Sequence, residues 1–213
     1  MGDATLQDMR ALRRRVFGSL LLRGRIAWKG TSSATELLYL NHTASRVNAR
    51  HIAEIGFNTG LSSRAFLNAH PDVQVTSFDL GQPWVERAKT LIDKQFPGRH
   101  TLICGDSRDT VPKYKAANAE TRFDLVFIDG GHDYEVAKAD LLNMRELSTD
   151  NTALIVDDLV PWFAYGAGPA QAWNDAIAEG VLRQIEIIKD GKRVEVIERP
   201  GRRIWGLGQY VSA

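Results

Sequence analysis

The sequence predicts a doubly wound α/β fold, in which helices cover both faces of a mostly parallel sheet. Short apolar runs alternate with helical patterns through the middle of the chain, as in right-handed β–α–β crossovers. Two of these runs, residues 123–128 and 153–156, are almost continuously apolar, as strands buried on both faces of a parallel sheet are. We expect the ligand site beyond the carboxyl ends of the strands.

The N-terminal part, about residues 1–49, is predicted to be a helical extension of the sheet. A second helix over residues 34–48 leads into the first strand, and the arginines near the N-terminus are read as a solvated face, with a grip on an anionic partner or membrane as the alternative. The first helix is predicted from apolar residues at helical spacing: Met9, Leu12, Val16, Leu20 and Leu21.

The central runs supply five strands and the helices between them. Pro83 suits the first turn of a helix, and Pro97-Gly98 ends that helix after Phe96. The predicted strands are residues 52–55, 75–78, 102–104, 123–128 and 153–156, with helices beginning at Leu61 and Pro83 and spanning residues 134–147.

The C-terminal part changes to strand periodicity. Residues 185–188 and 194–197 alternate around the turn Asp190-Gly191, which predicts a hairpin, and residues 203–210 offer another strand. We therefore expect an antiparallel edge on the parallel sheet.

Composition fits a single domain over residues 1–213. Of the 213 residues, 44% are hydrophobic and 25% are charged, which are ordinary values for a globular protein. The formal net charge of +1 argues against nucleic acid as a partner, because proteins that bind it carry a basic excess. No apolar run approaches the length of a membrane span.

The cellular compartment is predicted from the cysteine content and the N-terminus. Cys104 is the only cysteine, so no internal disulfide can form. Arginines 13–15 interrupt the apolar character that a secretory signal needs. We expect a cytoplasmic protein, and the oligomeric state stays open, with a homodimer as the candidate.

The turn after the first predicted strand has the spacing E-x-G-x-x-x-G and indicates a nucleoside site. Gly56 and Gly60 permit positive φ and close backbone approach, and the following helix points free N–H groups at a ligand. Glu54 stands where a pyrophosphate-binding turn has glycine, so a cationic ligand fits better. Asp79 ends the second strand, where an acid can bind ribose hydroxyls. The alternative is that the glycines only shape a tight turn.

Three acids follow two neighbouring predicted strands. Asp129 follows residues 125–128, and Asp157 and Asp158 follow residues 154–156. The carboxyl ends of parallel strands meet at one edge, and three carboxylates there repel unless a cation lies between them. An oxygen-only cluster suits Mg²⁺. The alternative is that one or two of the acids cap helices or face solvent, and Asp133 is the better candidate for a cap.

His132 is the candidate general base, because it stands three residues after Asp129 and its usual pKa suits proton removal near neutrality. Local packing is the alternative. Residues 159–169 are predicted to form a loop with hinge-like glycines, and its Trp162 and Tyr165 are candidates for stacking on an acceptor, or else they cover the core. Trp28 is a weaker candidate.

The turn, Asp79 and Gly105-Asp106-Ser107 resemble the motifs of class I S-adenosylmethionine-dependent methyltransferases. The resemblance implies a Rossmann-like sheet of seven strands completed by the terminal hairpin. It also implies S-adenosylmethionine as cofactor, bound by residues at the matching positions: Glu54, Gly56, Asn58, Gly60, Ser62, Asp79, Asp106, Ser107 and Asp129.

Asp129, Asp157 and Asp158 also match the metal positions of the metal-dependent O-methyltransferases, although catechol-type enzymes often have Asn as the last ligand. Residues 127–134 resemble the branch that acts on antibiotics, sugars and other natural products, and within it the methylmannose polysaccharide 1-O-methyltransferases. The resemblance implies Mg²⁺-dependent methylation of a hydroxyl on a small molecule or oligosaccharide. The alternatives are an NAD(P)-dependent oxidoreductase, which explains Asp79 but neither Glu54 nor the three acids, and a non-catalytic nucleoside-binding protein.

Overall fold

The computed structural model describes residues 4–21 and 31–211 and contains one eight-stranded sheet. The strand order is β3-β2-β1-β4-β5-β8-β6-β7, in which the first five strands pair in parallel and the last three join antiparallel. The strands are β1 (His51–Ile55), β2 (Gln74–Asp79), β3 (His100–Cys104), β4 (Leu125–Ile128), β5 (Ala153–Val156), β6 (Leu182–Lys189), β7 (Lys192–Val194) and β8 (Ile204–Tyr210).

The direction of the winding reverses at β1. From β1 the chain runs outward through β2 and β3 on one side, and then returns to build β4 and β5 on the other. Ile55 pairs with Phe78 and with Ile128, so β1, β2 and β4 end at the same edge. Such a reversal opens a crevice beyond the carboxyl ends of the strands, and the motifs identified in the sequence all lie there.

Within residues 4–21 and 31–211, seven helices cover the sheet on both faces, which confirms the predicted doubly wound class. Ile52 packs in a hydrophobic core with α1 to α4 on one face of the sheet. Its neighbour Ala53 packs in a second core with α5 to α7 on the other face. Among the described residues, no helix has the length and apolar character needed to span a membrane. The helices are α1 (Leu6–Leu21), α2 (Ala34–Arg46), α3 (Leu61–Leu67), α4 (Val85–Gln95), α5 (Ser107–Ala117), α6 (Tyr134–Arg145) and α7 (Ala164–Ala178).

The count of seven strands implied by the family resemblance is wrong, because both hairpin strands and the last strand join the five parallel strands to give eight. β7 pairs with β6 from Lys192 to Val194 and then leaves the sheet. The Asp190 carboxylate accepts hydrogen bonds from the backbone N–H groups of Arg202 and Arg203, which brings the chain back to the start of β8. Only the first residue of the predicted strand 194–197 therefore pairs.

The N-terminal helices form as predicted and bring one charged group into the interior. Met9, Leu12 and Val16 of α1 are buried in the core shared with α2, whereas the side chains of Leu20 and Leu21 lie outside the described residues. Helix α2 begins with a capping box between Ser33 and Glu36. Glu36 is only 1% exposed, so this carboxylate needs further explanation.

The predicted loop over residues 159–169 is also wrong, because α7 begins at Ala164 and includes Gly166 and Gly168. A Cβ at Gly166 would lie 2.5 Å from the Val160 carbonyl oxygen, and one at Gly168 would lie 2.3 Å from that of His132. These glycines let α7 pack directly on the loops that follow β4 and β5, so they are contact points and not hinges.

Helices α5 and α6 both have aspartate at the N-cap position. Helix α5, which the apolar pattern did not predict, begins at the N-cap Asp106, whose side chain accepts a hydrogen bond from the backbone N–H of Arg108. Asp133 occupies the N-cap position of α6 as predicted, but its side chain makes no capping hydrogen bond. The Asp133 side chain therefore does not fix the start of α6.

Candidate active site

A cavity of about 410 Å³ opens at the sheet edge where the winding reverses. It joins the ends of β1, β2 and β4 to the first residues of α5 and to the loop before α6. Several predicted residues line it: Gly56, Asn58, Asp79, Asp106, Ser107, Asp129 and His132. The sequence interpretation missed Leu80, Gln82, Trp84 and Arg108 in the lining, because no strand end or motif marks them.

Gly56 lets the backbone cross the floor of this cavity. Its φ is +95°, and a Cβ would lie 1.9 Å from the Asp129 carbonyl oxygen. Its N–H donates to the Phe78 carbonyl oxygen at 2.8 Å. Only glycine fits between the ends of β2 and β4, and the cavity floor there is bare backbone.

Asp79 connects both sides of the cavity mouth. One oxygen accepts a hydrogen bond from the Asn58 backbone N–H and the other from the Gly81 backbone N–H, each at 2.8 Å. The Trp84 indole N–H donates to the Asn58 side-chain oxygen at 2.9 Å. Each carboxylate oxygen keeps a free lone pair, so a fixed acceptor faces the cavity.

Glu54 lies behind the cavity wall. It is 0% exposed, and three serine hydroxyls donate to its oxygens, from Ser62, Ser63 and Ser77. Burial raises the pKa of Glu54 to about 7, against the lowering effect of the three hydroxyls. Glu54 therefore ties β1 to β2 and α3, and neither it nor Ser62 nor Gly60 lines the cavity.

The acidic residues form two groups that share Asp129. Asp129, His132 and Asp158 each offer a ligand atom, and these atoms lie within 4.8 Å of one another. Asp129, Asp157 and Glu36 form a second such group. The structure thus brings the three predicted acids, Asp129, Asp157 and Asp158, to one edge of the sheet. It adds Glu36, which the sequence interpretation did not include, and these four residues are called the acidic cluster.

The acids are held in an unfavourable electrostatic environment. Burial raises the pKa of Asp157, and the charges of Glu36, Asp129 and Asp158 raise it further. Burial and then Asp158 likewise raise the pKa of Asp129. Asp158 also adopts a φ of +59°, a conformation that L-residues rarely take and that is common at functional sites.

The cluster has the donors and the space for a hard divalent cation. A cleft of about 10 Å³ is bordered by Asp129, Asp157, Asp158 and Pro169, and this is room for one water-sized particle. Carboxylate oxygens are the ligands that Mg²⁺ prefers, and Mn²⁺ also accepts imidazole nitrogen. The residues present therefore fit such an ion.

His132 lies between the cavity and the acidic cluster. Its Nε2 is 3.1 Å from an Asp158 oxygen, and the side chain is about half exposed. The hydrogen bond to Asp158 raises the pKa of His132 above its ordinary value, although partial burial lowers it. From this position the imidazole can take a proton from a ligand in the cavity.

The two predicted aromatic residues lie outside the cavity, in different surroundings. The Tyr165 ring centroid is 5.9 Å from that of His132, and the ring stacks on Phe163 at 5.4 Å, so an exposed aromatic pair flanks the histidine. The Trp162 indole N–H donates to the Gly201 carbonyl at 3.0 Å and packs against the core. Trp28 lies outside the described residues.

Comparison with protein-family models matches residues 53–159, which is half of the chain, to a methyltransferase domain. The chain belongs to this methyltransferase domain family. The match begins in β1, at Ala53, and extends beyond β5 to Leu159. It therefore spans the cavity floor and all three predicted acids. No curated protein matches the sequence.

Solved methyltransferase structures share the fold of this family member. An O-methyltransferase from Bacillus cereus in complex with SAH is 16% identical, with a TM-score of 0.73 over 94% of this chain and 90% of that chain. The O-methyltransferase TomG from Streptomyces achromogenes, which is involved in tomaymycin synthesis and was solved with SAM, is 17% identical, with a TM-score of 0.70 over 100% and 92%. SAH-bound PaMTH1 from Podospora anserina is 15% identical, with a TM-score of 0.72 over 94% and 88%.

Proposed function

We propose that this methyltransferase moves the methyl group of S-adenosylmethionine to a hydroxyl of a small molecule or oligosaccharide, with Mg²⁺ at the acidic cluster. One observation carries the proposal: a single cavity contains the Asp79 carboxylate, Asp129 of the acidic cluster and His132. A carboxylate suited to ribose hydroxyls and a carboxylate suited to a cation thus face the same space.

The cofactor-binding role rests on the cavity lining. Asp79 would accept hydrogen bonds from the ribose hydroxyls, since its oxygens are held in place by Asn58 and Gly81. Asp106 and Ser107 line the far side, where they would contact the adenine. S-adenosylmethionine supplies a methyl group that its sulfonium charge already activates. The role of Glu54, Gly60 and Ser62 would be to support the turn from behind the wall.

Asp129, Asp157 and Asp158 would hold Mg²⁺, which lowers the pKa of a hydroxyl and fixes its position. His132 would take the proton of the acceptor hydroxyl, and its hydrogen bond to Asp158 orients the imidazole ring. The chain would then hold the acceptor oxygen in line with the methyl group, and this alignment accounts for much of the rate in a two-substrate reaction.

The acceptor side is proposed at the aromatic residues of the α7 start. The exposed Tyr165 and Phe163 rings form a flat face beside His132, suited to a sugar or an aromatic ring. This face supports the natural-product and sugar branch, with methylmannose polysaccharide as the first acceptor to assay. Trp162 would support the face from the core side. The cytoplasm stays the proposed location and a homodimer the proposed assembly.

Calorimetric titration of the purified protein with S-adenosylhomocysteine and with NAD tests the proposal. We expect S-adenosylhomocysteine to bind and NAD to give no heat. Binding of NAD alone would favour the oxidoreductase alternative, and binding of S-adenosylhomocysteine without turnover of any hydroxyl acceptor would favour the non-catalytic alternative.

A further inference from the structure

We propose that Glu36 of α2 is a ligand of the divalent cation and binds it together with Asp129 and Asp157. This inference rests on the proposed metal dependence, and it assigns a metal ligand to the N-terminal helices, outside the strand ends where the predicted acids lie.

The first support is a buried oxygen that lacks a partner. Glu36 Oε2 accepts a hydrogen bond from the Ser33 N–H at 3.2 Å and lies 3.3 Å from Arg203 Nη1. Glu36 Oε1 is fully buried and has no hydrogen-bond partner among residues 4–21 and 31–211. A buried carboxylate oxygen without a partner carries a large desolvation cost, which a bound cation would remove.

The second support is the distance between the carboxylates. One oxygen from each of Glu36, Asp129 and Asp157 lies within 4.8 Å of the others. Ligand oxygens about 2.1 Å from an octahedral Mg²⁺ are roughly 3 to 4 Å apart. The three oxygens are therefore close enough to move onto one ion without a change of backbone.

The third support is the charge balance. Arg203 lies beside Glu36, and its guanidinium also donates to the Thr31 carbonyl oxygen at 3.1 Å. Arg13 of α1 is also close enough for its charge to act on Glu36. These two positive charges face three carboxylates that are buried or partly buried, and the repulsion between the carboxylates grows as water is excluded. A divalent ion would bring the group close to neutral.

The position of Glu36 gives the ion a structural role as well. Glu36 is in the first turn of α2 and closes the capping box with Ser33. Thr31 and Ser32, just before it, are buried. An ion bound by Glu36 and Asp129 would link this N-terminal segment directly to the sheet edge.

Mn²⁺ binding, followed by electron paramagnetic resonance of the free ion, tests the inference without an activity assay. Glu36→Gln should weaken Mn²⁺ affinity by about tenfold or more. The matched control is Glu186→Gln, since Glu186 is also a largely buried carboxylate, hydrogen-bonded to Tyr39 and 3.5 Å from Arg46 of α2, but outside the cluster. This control should bind Mn²⁺ like the wild type.

The pair Glu36→Gln and Asp157→Asn provides a second measurement. If both residues bind one ion, the loss of Mn²⁺ affinity in the double variant will be smaller than the sum of the two single losses. Should Glu36→Gln fail to fold, Glu36→Asp keeps the charge beside Arg203 but withdraws the carboxylate, and it should also weaken binding.

The outcomes separate this inference from the metal proposal. Wild-type Mn²⁺ affinity in folded Glu36→Gln or Glu36→Asp would overturn the role of Glu36 and leave Mg²⁺ dependence intact. A wild-type protein that binds S-adenosylhomocysteine but no Mn²⁺ would overturn both.

Discussion

Asp79 illustrates how a single carboxylate can organise a ligand site. Its carboxylate accepts hydrogen bonds from two backbone N–H groups in loops that follow different strands. One of these loops contains Asn58, whose side chain accepts a hydrogen bond from Trp84. The sequence predicted this residue because an acid at the end of the second strand of such a fold has a defined place. It did not predict the tryptophan, since the contact depends on how the loop before α4 folds back.

Replacing Asp79 should weaken cofactor binding. Asp79→Ala removes both the proposed ribose acceptor and the anchor of two loops, and we expect a loss of roughly 1 to 3 kcal/mol in S-adenosylhomocysteine binding. Calorimetry measures the change. The control is Asp72→Ala, an exposed acid on the loop before β2. Equal affinity in Asp79→Ala and wild type would contradict the ribose assignment.

His132 should contribute to the methyl-transfer step more than to cofactor binding. His132→Ala is expected to lower the single-turnover rate by about 10² to 10⁴ with little change in S-adenosylmethionine affinity. The neutral imidazole is the base, so the wild-type rate should rise with pH through the His132 pKa, which the Asp158 hydrogen bond raises. Profiles at saturating Mg²⁺ and acceptor check this, and parallel profiles in wild type and variant would assign proton removal to the solvent.

His100 should make stability depend on pH. Burial lowers its pKa to about 4, and the charge of Lys89 lowers it further. Its Nε2 pairs with Ser77, and its buried Nδ1 has no partner within the described part of the chain. The unfolded chain takes up a proton near pH 6.5 and the folded one only near 4. Unfolding free energy should therefore fall by up to about 3 kcal/mol as the pH drops across that window.

Urea unfolding at several pH values measures this dependence. His100→Gln keeps a donor for Ser77 but cannot titrate, so its curve should be flatter than that of the wild type. His51→Gln changes an exposed histidine at the start of β1 and serves as the control. A wild-type slope in His100→Gln would show that another group is responsible.

At the scale of elements, the sequence predicted strands better than it predicted helices. Continuous apolar runs such as residues 153–156 are too short for a typical helix and are typical of buried strands. Helix α7 was read as a loop because Gly166, Gly168 and Pro169 are poor helix formers. Tertiary contact outweighs that preference, since the helix must approach the backbone of His132 and Val160 closely.

The glycines of α7 should not tolerate a side chain. Gly168→Ala places a Cβ 2.3 Å from the His132 carbonyl oxygen, and we expect it to lower the unfolding free energy by about 1 to 3 kcal/mol. Gly18→Ala in α1 is the matched control, because no neighbour within the described part of the chain lies within 4 Å of its Cβ. That change should stabilise the protein by about 0.5 to 1 kcal/mol. Equal effects of the two changes in urea unfolding would contradict the contact.

For the whole molecule, the sequence predicted the layers and the class of the fold, and the family match confirms the methyltransferase prediction. The acids at the ends of β4 and β5 could be placed together because parallel strands end at one edge. Glu36 could not be placed with them, since its position beside the acids depends on how α2 packs on the sheet. A glutamate three residues after Ser33 also has a local explanation as part of a capping box.

Metal removal should lower both activity and stability, whereas loss of a single carboxylate of the acidic cluster should lower activity far more than stability. EDTA should abolish turnover and Mg²⁺ restore it, while Mg²⁺ at about 100 times its dissociation constant should add about 2.7 kcal/mol to the unfolding free energy. Asp129→Ala, Asp157→Ala and Asp158→Ala should each lose activity without a comparable loss of thermal stability, because each relieves repulsion in the metal-free protein. Thermal scans and a methyl-transfer assay measure the two effects. Full turnover in chelator would rule out the metal.

The place of Asp129 in both the cavity and the acidic cluster has a consequence for ligand binding before and after methyl transfer. Two positive ligands that draw on one carboxylate share its charge, so the sulfonium of S-adenosylmethionine and the divalent ion would each reduce the affinity of the other by the same factor. Transfer of the methyl group leaves a neutral sulfur. The antagonism then ends, so after the chemical step the ion and the product nucleoside would each be held more firmly, by the same factor, than the ion and S-adenosylmethionine are before it.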